Sequence, residues 1–458
     1  PIITYSNVGG GWDGIGNIDE DPLFNDDYTL KPPSPCIDTG DPNPWYSDVD
    51  GTRSDIGWTR GAYISTTFNN HVLDPVNEFN FGPVGGLGST VNWRLSNFRE
   101  TDIVIDGVSF NTESFSVDAE FPMVIGPRET GKIPIIANNS TLGPVEDFMA
   151  INSNQLADGI GLNLTVNGSE IDFALSGNLP SYLEANTYRV LGDIYVDAGD
   201  YTYIEAGTQI LFEGNYTFRI YGTIVVAGTE TDSVKFDNFD PEAYGDMNWN
   251  GIIFTNVGSG TSLNYVSITG VNAEGGTHRA VFKMENSNPN ISNINLFQNA
   301  ALKVIHLVGS SPNISNFTLN NAGGDGIYVE GGAPTITNGV IENGWYNGIY
   351  NSGGGSLTVS DVLISENNKT GIYQSSSGTG VYSNMTIRNN ADGGARVKGT
   401  TRFNNVEIIG NSRTGEGEGW TPENGGGIHL DHWGRHIFNR VTVANNIAPG
   451  RAGALWLG

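Results

Sequence analysis

One cysteine in 458 residues, Cys36, leaves no partner for a disulfide within the chain. Long apolar runs are missing too, and no stretch could span a bilayer as a helix. Cations are scarce. The chain carries 22 Lys plus Arg against 50 Asp plus Glu, a formal net charge of −28. Such a surface repels nucleic-acid phosphates and anionic membranes, so both partner classes are set aside. The 3.6-residue amphipathic pattern of a helix recurs nowhere. No signal peptide is present and the first residue is Pro1 rather than Met, so the chain reads as a piece of a longer polypeptide with its targeting segment elsewhere.

Hydrophobic residues, at 38%, are enough for real cores. Glycine is abundant, with 63 residues, and Asn, Ser and Thr recur at the turn positions. Gly and Asn tolerate positive φ, so this mixture suits short strands joined by tight turns. The expected class is all-β.

From about residue 262 the sequence repeats with a period near 22: NISNINLFQNA from Asn290, NISNFTLNNAG from Asn313, TITNGVIENGW from Thr335, LTVSDVLISENN from Leu357, VYSNMTIRNNA from Val381, RFNNVEIIGNS from Arg402 and IFNRVTVANNI from Ile437. A fixed period without a helix in each unit predicts a parallel β-helix, a solenoid of stacked coils. Asn299, Asn321, Asn343, Asn368, Asn390, Asn411 and Asn446 align as turn residues. Coils about 4.8 Å apart would let such amides hydrogen-bond up the stack. Asn313-Ile-Ser and Asn384-Met-Thr are formal N-glycosylation acceptors, the alternative use of these residues.

The stretch from Pro180 carries Gly192-Asp193-Ile194, Ile204-Glu205-Ala206-Gly207-Thr208, Phe212-Glu213-Gly214-Asn215 and Gly222-Thr223-Ile224. These phrases resemble the opening coils of bacterial right-handed parallel β-helix repeat surface proteins, a likeness spanning about 280 residues. The resemblance implies the fold. It leaves function open, since lyases, adhesins and structural proteins share it. Residues 1–63, with GNIDEDPLF, SPCIDTGDPNP and DVDGTRSDIGWTRGAY, are similar to the closing end of such a helix. Residues 64–179 lack the period and show alternating strands with turn signals, which predicts a sandwich of about seven strands. That segment resembles the immunoglobulin-like domains accompanying bacterial surface β-helices, without the Cys and buried-Trp pattern of antibody domains. The expected architecture is therefore a right-handed parallel β-helix plus an Ig-like β-sandwich, with the β-helix proper over 180–458.

Three groups of residues could carry chemistry. The longest coil inserts NSRTGEGEGWTPENGGG before HLDHWGRH, bringing Glu416, Glu418, Glu423, His429, Asp431, His432, Arg435 and His436 into one stretch. Paired carboxylates, or a His or Arg beside a uronate, would suit a polysaccharide lyase or glycoside hydrolase using the 413–436 turn. Asp431, His432 and Arg435 are its catalytic candidates, against a plain solvated turn. Second, counting in and out along the Gly-Ile-Tyr strands places Ile327, Ile349, Ile372, Ile428 and Leu455 inward. His306, Tyr328, Tyr350, Tyr373, Arg396, His429 and Trp456 then form an outward stripe. Such aromatics either stack on one another or dock a sugar or protein, and His306, Tyr328, Tyr350, Tyr373 and Trp456 are the ligand-binding candidates. Third, Asp48, Asp50 and Asp55 around Gly51 suit structural Ca²⁺, or serve as solvated turn carboxylates. No other cofactor is indicated.

The leading expectation is a secreted extracellular structural protein, building or decorating a fibre, surface layer or adhesin stalk. LWLG at residue 458 would continue into PIITYSNV at residue 1 with a couple of residues missing. That predicts self-association end to end or a tandem array, the alternative being an arbitrary truncation. A lyase or hydrolase, or a polysaccharide-binding surface protein, is the competing expectation.

Overall fold

Asparagine and glycine turns between short alternating runs dictate a chain of strands, and strands are what form. The computed structural model describes residues 3–24, 30–31, 34–42, 53–57, 72–73, 78–97, 101–127, 129–154, 161–239, 249–272, 280–375, 377–413, 425–448 and 452–457. The chain forms two units, Pro1–Asp172 and Phe173–Gly458.

The second unit is a parallel β-helix. Ile327 lies in register with Ile349, Ile349 with Ile372, Ile372 with Ala395, and Ala395 with Ile428. These rows point inward, where Ile327, Ile349, Ile372 and Ile428 are each at most 1% exposed. Burying one such side chain stabilises by about 2 kcal/mol. The core is continuous from Leu175 to Leu430 and includes Phe212, Phe236, Trp249, Phe282, Tyr382 and Phe403.

From Asn293 to Asn405 one corner of each coil is a residue in the left-handed region: Asn293, Asn316, Asn338, Asp361, Asn384 and Asn405 have φ between 52° and 58°. Asn and Asp accept this conformation because their short polar side chains bond locally. The amides do so here across coils, Asn384 Nδ2 donating to Asp361 Oδ1 at 3.1 Å and Asn405 Nδ2 to Asn384 Oδ1 at 3.0 Å. Asn313 likewise donates to Asn290 Oδ1. Of the two formal glycosylation acceptors, Asn384 is thus in the corner column and Asn313 bonds across coils at another position. At Gly324 a Cβ would collide with the carbonyl oxygen of Leu302 on the neighbouring coil, so close stacking there requires glycine.

A second, buried ladder runs Asn367, Asn390, Asn411, Asn446, each Nδ2 donating to the Oδ1 of the next at 2.9 Å. Its register differs from the sequence alignment. Asn367 occupies the position assigned to Asn368, and Ala322 rather than Asn321 is in register with Asn299. Gly344, whose N–H donates to Asn367 Oδ1, fills the place assigned to Asn343. In each Asn pair or near-pair the inward residue joins the ladder, and its neighbour makes the corner: Asn343, Glu366, Asn389 and Asn445 all have positive φ.

In the first unit, Glu78–Val84, Gly161–Gly168, Gly143–Asn152 and Gly107–Ser109 make a four-stranded sheet, its first pair parallel. Ser89–Asn97 pairs antiparallel with Thr130–Ala137 and with Val72–Leu73, and Thr130–Ala137 with Phe115–Val117. Phe81, Trp93, Leu95, Ile133, Met149 and Leu164 share one core between these layers. More strands are present than the seven expected because single alternating runs break between sheets. Ile103–Ile105 pairs with Met123–Ile125, whereas Gly107–Ser109, one residue on, joins Gly143–Asn152. Trp93 is 5% exposed, so a buried tryptophan is present after all, with no cysteine beside it in the core.

Candidate functional site

The outward stripe forms because inward and outward positions alternate along each strand and the coils stack in register. His306 lies beside Tyr328, Tyr328 beside Tyr350, and Tyr350 beside Tyr373. Arg396, His429 and Trp456 continue the row. Ring centroids are 5.2 Å apart for His306 and Tyr328, 4.8 Å for Tyr328 and Tyr350, and 4.9 Å for Tyr350 and Tyr373. The first two contacts are edge-to-face and the third is stacked at 11°. Both geometries suit the quadrupoles of the rings. Lys303 Nζ sits 3.9 Å over the Tyr328 ring, and Arg396 Cζ lies 5.3 Å from the Tyr373 centroid.

Each tyrosine is half-buried, keeping part of its ring at the surface. Burial raises the Tyr328 and Tyr373 phenols above their usual range, so both stay neutral at pH 7. His306 is 7% exposed and packs edge-to-face on Tyr328, so little of its ring is left for a ligand. Burial, then the Lys303 charge, pushes His306 down to about 4, against the pull of Glu330 at 3.1 Å. At pH 7 it is uncharged. Between about 6.5 and about 4 the unfolded chain binds a proton that the folded chain refuses. Stability is therefore expected to fall as pH drops through that window, by roughly 1 kcal/mol per pH unit from this residue. Urea midpoints from pH 7 to 4.5 check this. His306→Asn should flatten the slope, and an equal slope in both proteins would remove His306 as its source.

Beside Tyr373 opens a cleft of about 210 Å³ whose charged residues belong to no sequence motif. It lies between the stripe and a turn column one step away. That column holds Tyr346, Lys369, Asp392 and Arg413 on successive coils, two residues past Gly344, Asn367, Asn390 and Asn411 of the buried ladder. Asp392 N–H donates to the Lys369 carbonyl, and Lys369 N–H to that of Tyr346. Arg413 Nε lies 3.6 Å from Asp392 Oδ1.

The long turn is partly outside the described residues: Glu416, Glu418 and Glu423 lie there, as does the side chain of His432. Asp431 is half-buried, its Oδ1 3.4 Å from His429 Nε2. The register with Ala395–Ile409 shifts around Asp431 and His432, a bulge, and Arg435 follows it in register with Thr400, exposed. His436 Nδ1 is 2.7 Å from Thr401 Oγ1. Of the candidate ion ligands, Asp48 and Asp50 lie outside the described residues, and Asp55 Oδ1 accepts a bond from Asp38 N–H at 2.9 Å. Asp38 has φ 56°, so Asp55 caps a left-handed turn.

A family model described as right handed beta helix region matches residues 279–448. No curated protein matches the chain. Among solved structures, the chain is similar to the catalytic domain of a GH87 alpha-1,3-glucanase, D1068A, in complex with tetrasaccharides. The identity is 11%, the match covers 81% of this chain and 88% of that one, and the TM-score is 0.33. A likeness that low carries no argument about this chain.

Proposed function

We propose that this chain is a stiff extracellular scaffold that holds a polysaccharide against the outward stripe of its β-helix without cleaving it. The observation that carries the reading is the continuous column Tyr328, Tyr350, Tyr373, with centroids 4.8 and 4.9 Å apart and part of each ring at the surface. The ring edges and phenol hydroxyls left at the surface can meet the C–H and hydroxyl groups of a sugar, and a ladder locked by stacking loses little entropy on binding. Rigidity comes from parallel pairing coil after coil. In the same proposal, residues 64–179 act as an Ig-like spacer, residues 1–63 as a β-helix closing segment, and further copies associate end to end, with Ca²⁺ at the acidic turns.

Binding to a panel of immobilised neutral and acidic polysaccharides tests the reading. Tyr350→Ala with Tyr373→Ala is expected to weaken binding at least tenfold, at about 1 kcal/mol per ring. Intact binding in the folded double variant would remove the stripe as the site. The same incubations should release no shortened products. The 3.4 Å approach of His429 Nε2 to Asp431 Oδ1 is what favours the lyase or hydrolase alternative. Product release that vanishes in Asp431→Asn with His432→Ala would establish it. Electron microscopy with calcium and with chelator tests assembly: single rods in every condition would remove end-to-end association.

A further inference from the structure

Resting on the polysaccharide-holding reading above, we propose that the stripe takes an extended, neutral 1,4-diequatorial glycan laid along the β-helix axis, one sugar to each coil. The repeat of the column carries the inference. Tyr328, Tyr350 and Tyr373 follow one another on successive coils, their centroids 4.8 and 4.9 Å apart. Parallel strand pairing sets that spacing, so it holds from coil to coil. In a 1,4-diequatorial glycan the two bonds leaving each ring are nearly parallel. Its chain therefore runs straight and advances by about one ring length per sugar, on the scale of the coil spacing. An axial linkage bends the chain into a coil, which leaves the column after a ring or two.

The tyrosines offer the same kind of contact on each coil. Tyr350 and Tyr373 stack face to face at 11°, so each covers a face of the other and leaves edge and hydroxyl at the surface. Ser375 Oγ donates to the Tyr350 phenol oxygen at 3.4 Å. A phenol that accepts from the protein keeps its own proton for a ligand. Burial holds Tyr328 and Tyr373 protonated as well, so both remain donors at pH 7. An equatorial sugar ring carries hydroxyls on both edges, and alternate sugars can meet a phenol although they are turned over.

The run has two ends. His306, in register with Tyr328, leaves little ring for a ligand, and beyond Tyr373 the row continues as Arg396 rather than an aromatic ring. Three coils therefore set the length of the site at three sugars. Gly331 and Gly332 follow Tyr328, and Gly353 to Gly355 follow Tyr350, so backbone without side chains flanks the column there. A formal net charge of −28 disfavours a polyanion, which leaves the neutral members of the class as the fitting ligands.

The test is isothermal titration calorimetry on the full chain with oligosaccharides of two to five sugars. Three series are 1,4-diequatorial, those of cellulose, β-1,4-mannan and chitin, and the malto-oligosaccharides are the axially linked control. In at least one diequatorial series the trisaccharide is expected to bind about fivefold tighter than the disaccharide, with little change from four sugars to five. Malto-oligosaccharides of equal length should bind about tenfold more weakly, having lost the contacts beyond the first ring. Tyr328→Phe, Tyr350→Phe and Tyr373→Phe keep the rings and their packing while removing one hydroxyl each. Each should weaken the trisaccharide by roughly threefold to fivefold. A glycan crossing the coils would touch one tyrosine, so two variants that bind like wild type would overturn the inference. Affinity independent of length, or equal for malto-oligosaccharides, would also overturn it. So would silence in all four series beside intact binding of a polysaccharide, which leaves the holding function in place. Binding of no polysaccharide at all would overturn both.

Discussion

Replacing Trp249 with alanine is expected to destabilise the β-helix by about 4 kcal/mol, and Trp249→Phe by only about 1 to 2 kcal/mol. Trp249 is fully buried, its ring stacked on Phe212 at 4.1 Å and 7°, with Phe236 at 6.3 Å on another side. Alanine removes the largest side chain of this core and leaves a cavity that neighbouring coils, held by their own ladders, cannot collapse to fill. It also strips the Thr269 carbonyl of the Nε1 donor at 2.9 Å. Phenylalanine keeps the stack and forfeits only the hydrogen bond and part of the volume. Urea unfolding followed by far-ultraviolet circular dichroism gives the two losses. Because coils contact only their neighbours, hydrogen exchange should speed up first in Gln209–Phe212, Val234–Asn238 and Ile252–Thr255. A loss under 1 kcal/mol for the alanine variant would mean the stack carries little of the packing.

Most of the solenoid was legible because one period governs everything at once. The same spacing of about 22 residues that repeats NISN also fixes which isoleucines face inward and which tyrosines face out. The structure keeps that parity from Ile305 to Ile428. The turns were harder to read. Where two asparagines adjoin, as at Asn367-Asn368 and Asn389-Asn390, periodicity alone cannot say which enters the core, since each coil has its own length. The steps along the ladder are 23, 21 and 35 residues, so a fixed period falls out of register by one. Residues 64–179 alternate as strands do, yet a run such as Ile103 to Ser109 divides between two sheets at Asp106. That choice depends on packing partners distant in sequence.

The candidate site divides the same way. The stripe could be counted out from strand parity, including Arg396 and His429 between the tyrosines and Trp456. Its self-stacking, and the burial of His306, depend on rotamers and on Lys303 and Glu330 alongside. The cleft was missed because Lys369, Asp392 and Arg413 belong to no motif. A signal was nevertheless present: each lies two residues beyond a ladder asparagine, so correct register at Asn367 would have set them in one column with Tyr346. The slip of one residue at Asn367 displaced Lys369 from the column, whereas Asp392 and Arg413 lie two residues past the correctly placed Asn390 and Asn411.

That ladder also carries the other large expected effect. Asn390→Ala should cost about 3 kcal/mol, although it removes a small polar side chain. Asn390 is fully buried. Its Oδ1 accepts from Asn367 N–H at 3.1 Å and from Asn367 Nδ2 at 2.9 Å, and its Nδ2 donates to Asn411 Oδ1 at 2.9 Å and the Ile364 carbonyl at 3.3 Å. Alanine leaves the Asn367 N–H and the Ile364 carbonyl buried without these partners. Aspartate separates hydrogen bonding from size. It keeps the acceptor for Asn367 but sets a buried carboxylate against Asn411 Oδ1, where a donor is required. Burial would raise its pKa in the folded state, so the deficit relative to wild type should be largest at pH 7 and shrink as pH falls toward 4.5. Urea midpoints of the three proteins at both pH values measure it. An alanine variant within 1 kcal/mol of wild type would show that the ladder adds little. An aspartate deficit unchanged with pH would show instead that position 390 opens to solvent.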